Sequence, residues 1–155
     1  MKKFCVYFGV FLIALCLLAC GTKRNFPNVP AEVEKLANDY LQAAGIGTEK
    51  AVEYIYFPEG ADELKQLFVA QTEQRLESYN ILKIEPLSDE LYALTIKAVP
   101  NYEPDEFLLY NFIGKIGGKW YYMPSQQLIP EQMKIGIDLA PYTYLNEDGG
   151  LLIKE

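Results

Sequence analysis

The chain has 155 residues, half of them hydrophobic and 14% aromatic, with 12 tyrosines, which suits one folded domain with a single core and not a disordered polar chain. Its net charge of -7 becomes -9 if Lys2 and Lys3 leave with an amino-terminal signal, and an acidic surface excludes nucleic acid, whose phosphates must be neutralised by Lys and Arg. No histidine is present, so metal sites built from imidazole and nucleophile–base pairs that need it are excluded, and no metal or cofactor is expected.

Lys2 and Lys3, the apolar run from Phe4 to Leu18 and the small Ala19 have the three-part layout of a secretory signal. Leu17, Leu18, Ala19 and Cys20 then resemble the lipobox of bacterial lipoproteins, although Leu18 stands where Ala or Ser is commoner. That resemblance implies removal of residues 1–19 and a diacylglyceryl thioether on Cys20. Its acyl chains anchor the protein at about 0.8 kcal/mol per buried CH₂. The membrane partner is reached through that lipid, on the extracytoplasmic side of a plasma or outer membrane. The competing reading is an uncleaved span, which needs about 20 apolar residues, slightly more than this run offers. Cys5 and Cys16 leave with the signal, so the mature chain has Cys20 alone and no internal disulfide.

Residues 20–29 read as the lipidated cysteine and a spacer, and 30–155 as one α+β domain. Pro30 suits the first turn of a helix, with Glu32 and Glu34 favoured by the helix dipole. Val33, Leu36, Ala37, Tyr40, Leu41 and Ala44 recur at helical spacing, and Gly45 and Gly47 are expected to stop the helix. Thr48 is a candidate N-cap for a second helix through Ile55, ended by Pro58. A third helix is expected from Ala61 to about Ser78, with Leu64, Leu67, Phe68 and Leu76 on one side; Gln71, Thr72 and Arg75 weaken that stripe.

From Tyr79 the pattern turns to β-branched and aromatic residues alternating with polar ones. Strands are expected over Asn80 to Glu85, Leu91 to Val99 and Glu106 to Ile116, the last apolar on both faces and therefore central. Gly114 suggests a bulge. Gly117 and Gly118 supply a two-residue hairpin turn into a strand from Lys119 to Met123. In the tail, Met133, Ile135 and Ile137 alternate like a short strand, and Asn146 to Gly150 is expected to turn a hairpin between Tyr142 to Leu145 and Leu151 to Ile153. Asn146, Glu147, Asp148 and Gly149 lack the alternating acidic ligands of a calcium loop, so they read as an ordinary acidic turn. The expectation is three amino-terminal helices packed on a curved antiparallel sheet of about four to six strands.

This order of elements, with the Gly117, Gly118, Lys119, Trp120 hairpin feeding an aromatic strand, resembles the nuclear transport factor two-like cone over roughly Pro30 to Met123. A cystatin-like sheet on fewer helices is the nearest competing architecture. The resemblance implies a conical cavity, with Tyr54, Tyr92, Tyr110, Trp120 and Tyr122 as candidate ligand-pocket residues. The competing account of all five is core packing, since aromatic residues dominate cores. It also raises an alternative function, a cone-fold isomerase or dehydratase using carboxylate and tyrosine residues. Strand three offers Tyr110 and Asn111 but no carboxylate in its buried run, and the histidine on which polyketide dehydratases of this shape commonly rely is missing. The expected function is therefore a membrane-tethered, non-catalytic binding domain for a protein partner or a small apolar ligand, with no catalytic residues assigned.

Overall fold

A computed structural model of the chain describes residues 25–71, 73–102 and 104–143; the signal segment, Cys20 and the hairpin expected around 146–150 lie outside the described residues. Over the described span the fold is α+β, with helices α1 (Ala31–Ile46), α2 (Thr48–Ala51) and α3 (Asp62–Ala70) preceding strands β1 (Leu76–Ser88), β2 (Leu91–Pro100), β3 (Phe107–Ile116) and β4 (Lys119–Met123). The four strands form one open antiparallel sheet in the order β1-β2-β3-β4. A carboxy-terminal segment follows, with a short helix α4 (Glu131–Lys134) between two 3₁₀ turns.

Helix α1 begins one residue after Pro30, which stands outside the helix at φ -53° and ψ 137° while its carbonyl accepts the Val33 and Glu34 N–H groups. The predicted stripe is the buried one, with Val33, Ala37, Tyr40 and Leu41 inside. Gly45 does not stop the helix. It lies within α1, where an added Cβ would come 3.3 Å from the Leu76 carbonyl oxygen; Gly47 caps the end by donating to Ala43 O at 2.9 Å. Ahead of α1, Val29 is buried and Phe26 packs on the core, so the core draws on residues either side of Pro30.

The second and third helices are shorter than the pattern predicts. Thr48 opens α2 as its first residue rather than capping it, and its hydroxyl donates to Gln71 O at 3.0 Å. The chain then tightens into a 3₁₀ turn, Val52–Tyr54, and Ile55 makes an isolated parallel bridge with Tyr122. Tyr56 N–H also donates to Tyr122 O, which covers the outer edge of β4. Helix α3 ends at Ala70 instead of Ser78, because the residues beyond Gln71 lack an apolar stripe while Leu76 finds a ladder partner in Pro100. A short marginal helix yields to sheet pairing of this kind.

Strand β1 is correspondingly longer than expected and runs through Pro86. Its position at the sheet edge explains this, since an edge strand tolerates a residue with no N–H to donate; the register shifts just after Pro86, before Ser88. The expected bulge at Gly114 is absent, as it pairs in regular register with Leu91 on one side and Tyr121 on the other. An added Cβ there would sit 2.7 Å from Met123 Cε and 3.1 Å from Met133 Cε, so the ends of these two flexible side chains would have to shift. The Gly117-Gly118 turn has φ 59° and 84°, the doubly positive geometry that twisted two-residue hairpins require.

Both faces of β2 and β3 are covered, by different parts of the chain. Tyr40 of α1 stacks on Tyr122, whose cross-strand partner is Ile113, so α1 lies on the face that also holds Asn111. On the opposite face, Tyr142 meets the rings of Tyr110 and Phe112, and Met133 approaches Gly114. Met133, Ile135 and Ile137 thus do not form a strand. Met133 belongs to α4, Gly136 takes φ 75°, and Met133 and Ile137 pack on the core while Ile135 is 81% exposed. Burying a side chain such as Phe112 between these layers contributes roughly 1.5–3 kcal/mol.

Candidate ligand cleft

A cleft of about 280 Å³ opens where the carboxy-terminal half of α1, α2 and the end of α3 meet the sheet. Tyr40, Leu41 and Ala51, all buried, and the buried Asn111 form its base. Phe68, Leu76, Pro100, Leu109 and Pro124 supply apolar walls, and exposed Gln71, Gln74, Arg75 and Tyr102 form the rim. The walls are apolar with a few placed polar groups, as small-molecule sites usually are; the volume falls just below the ~300–1,000 Å³ typical of drug-sized ligands. Among the described residues, no carboxylate lines it.

The polar groups at the base are ordered by their hydrogen bonds. Asn111 donates to Tyr110 O and Pro124 O, each at 3.0 Å, and its Oδ1 accepts the Tyr122 hydroxyl at 2.6 Å. A buried amide with its donors and acceptor engaged is fixed in orientation. Tyr122 is in turn stacked on Tyr40, with ring centroids 3.5 Å apart and planes 15° from parallel. Burial pushes the Tyr40 hydroxyl well above the ordinary tyrosine pKa, and no hydrogen bond engages that hydroxyl among the described residues.

At the rim, Asn101 holds the segment that carries Arg75. Its side chain accepts Arg75 N–H at 2.9 Å and donates to Glu73 O at 2.8 Å, while its own N–H donates to Arg75 O at 3.0 Å. The loop after β2 is thereby tied to the strand entering β1. Arg75 is placed by the backbone, and its guanidinium makes no ion pair among the described residues.

The five tyrosine and tryptophan positions singled out from the sequence do not converge, and none lines this cleft. Tyr122 lies just beneath it, through Tyr40 and Asn111. Tyr92 and Trp120 meet edge to face at 5.7 Å, and Trp120 Nε1 donates to Glu32 at 3.1 Å. Tyr110 points to the opposite face of the sheet, 6.0 Å from the Tyr142 ring. Tyr54 lines a separate, smaller and more polar cleft of about 170 Å³ together with Asp39, Lys50 and Glu53.

The cleft residues missed by sequence reasoning are Phe68, Arg75, Tyr102 and Tyr40 as part of the cleft lining. Asn111 carried a legible signal, as an amide inside an apolar run must find buried partners. Arg75 carried none, because its place depends on where α3 ends. Among the described residues, no group of three or more Cys, Asp or Glu side chains could hold a metal ion, and no helix is long and apolar enough to cross a membrane. No protein-family model matches the chain, and no curated protein matches it.

Proposed function

We propose that the protein is a bacterial lipoprotein, tethered through lipid on Cys20 to the extracytoplasmic side of a membrane, whose domain binds a small apolar ligand in the cleft at the end of α1 without transforming it. The observation that carries the binding reading is the cleft itself: apolar walls, an ordered polar base and no carboxylate among its described lining residues. A cone-fold isomerase would need an acid or base within reach of its substrate, a role that no carboxylate of the described lining fills. The tether rests on the run Leu17, Leu18, Ala19, Cys20 after an apolar segment with two leading lysines.

We also infer a nuclear transport factor two-like architecture. Three helices precede long antiparallel strands, and the Gly117-Gly118 turn returns an aromatic strand, which supports that assignment. The shallow seating of α3, with no buried residue, and the segment covering the second sheet face are departures from a simple cone.

Two measurements test the reading. Cys20→Ala should abolish metabolic labelling by a fatty acid and release the protein from the membrane fraction; persistent labelling would place the lipid elsewhere. Organic extraction of the purified full-length protein should yield a small apolar compound detectable by mass spectrometry, and Ala44→Trp, which fills the cleft, should lose it. Equal recovery from both proteins would remove the cleft as the binding site.

A further inference from the structure

Most cations among the described residues are engaged, Lys50, Lys65 and Arg75 apart. Lys83, Lys97 and Lys134 pair with Glu85, Glu106 and Glu131, Lys35 pairs with Asp39, and Lys115 and Lys119 lie over the rings of Trp120 and Tyr121. Arg75 is the exception at the cleft. It is the one arginine among the described residues, its guanidinium makes no ion pair there, and it sits at the rim of an apolar cleft with no acid in the described lining. Exposed at that rim, the guanidinium is free to meet an anionic group of a ligand seated in the cleft.

We infer that the ligand is an amphipathic carboxylate: an apolar body seated against Phe68, Leu109 and Pro124, with its carboxylate held at the rim by the Arg75 guanidinium. The inference rests on the cleft being the binding site, as proposed above. Two features of the lining support it independently. The guanidinium presents a planar fork of donors that matches a carboxylate with two parallel hydrogen bonds, and Asn101 fixes the backbone from which it projects, so only the side chain has to be ordered on binding. Tyr40 lines the base, and its hydroxyl makes no hydrogen bond to a protein group among the described residues while not being a fully buried unsatisfied atom, so it is available to a polar group that enters the cleft. Both groups therefore have hydrogen-bonding capacity that the fold does not use, at opposite depths of one cleft.

The aromatic rings of Tyr40, Phe68 and Tyr102 in the lining make an aryl carboxylate a suitable probe. The full-length protein in phosphatidylcholine nanodiscs is titrated calorimetrically with 4-phenylbutyrate and with its uncharged counterpart 4-phenylbutanol, empty discs serving as the blank. The carboxylate should bind about tenfold more tightly than the alcohol, the ratio equivalent to about 1.4 kcal/mol, and the advantage should shrink at high salt. Arg75→Gln should weaken carboxylate binding about tenfold, bringing it to the level of the alcohol, and an unchanged melting temperature shows that the variant is folded. Equal affinities in the unaltered protein, or an undiminished preference in Arg75→Gln, would overturn the carboxylate inference and leave the cleft as a neutral apolar site. Failure of both probes to bind would overturn the binding cleft and the carboxylate inference together.

Discussion

Tyr40 holds a phenol in the core with no hydrogen bond among the described residues, and that has a consequence for stability against pH. Burial raises its pKa in the folded state, so the native protein keeps a proton that the unfolded chain releases above about pH 10. The stability linked to this group is complete below that unfolded value. It is lost as pH rises above it, at up to about 1.4 kcal/mol per pH unit. Tyr40→Phe should cost less than about 1 kcal/mol at neutral pH, because the stack on Tyr122 survives and no hydrogen bond is given up. It should also flatten the decline from about pH 10 upward, as read from urea midpoints at a series of pH values. Tyr142, whose pKa is raised first by burial and then by the Glu85 charge, contributes in the same direction in both proteins and cancels in the comparison. Parallel declines would show that Tyr40 is not the source. The sequence placed Tyr40 in the buried stripe of α1 correctly, since helical spacing reports burial; whether its hydroxyl finds a partner depends on β3 and β4, which spacing within one helix does not reveal.

At the scale of elements, the strands were legible because an alternating pattern and a double glycine are local signals, and the Gly117-Gly118 hairpin follows from them directly. The ends of α3 and the fate of the tail were not. Residues 71–75 have weak helical character, and what terminates α3 is a long-range event, the pairing of Leu76 with Pro100. Met133, Ile135 and Ile137 satisfy a period of two over too short a stretch to exclude a helical turn, and the segment folds as one to cover the second face of the sheet. That cover can be weakened at a single residue. Tyr142 contacts two rings across the layer and reaches Glu85 with its hydroxyl, so Tyr142→Ala should destabilise the fold by roughly 2–4 kcal/mol, near the lower part of the range for removing a buried aromatic ring. Thermal or urea unfolding measures it. A change below about 0.5 kcal/mol, the scale of an ordinary surface substitution, would mean that the segment 124–143 rests on the sheet without supporting it.

For the whole molecule, the decisive relation is between the tether and the cleft. Asn25 N–H donates to Glu34 at 3.0 Å, which pins the start of the described chain beside the first turns of α1, and the five-residue step from Asn25 back to Cys20 reaches at most about 18 Å. The cleft lies at the other end of the same helix, at Tyr40, Leu41 and Ala44. At 1.5 Å per residue this is roughly 14 Å along the axis from Ala31 to Tyr40. A lipid on Cys20, as proposed, enters beside the amino-terminal end of α1, opposite the cleft; with that end toward the membrane the cleft is open to the aqueous side and its ligand arrives from solution and not by lateral transfer from the bilayer. Tyr102 at the rim is 63% exposed. Under the proposed tether, in which Cys20 carries the thioether and Cys5 and Cys16 leave with the signal, Tyr102→Cys supplies the mature protein's sole free thiol. A membrane-impermeant maleimide should modify it at the same rate in vesicles displaying the protein outward as in detergent solution. Slower reaction in vesicles alone would place the cleft against the bilayer, reverse the orientation argued from α1, and make the membrane itself the source of the ligand.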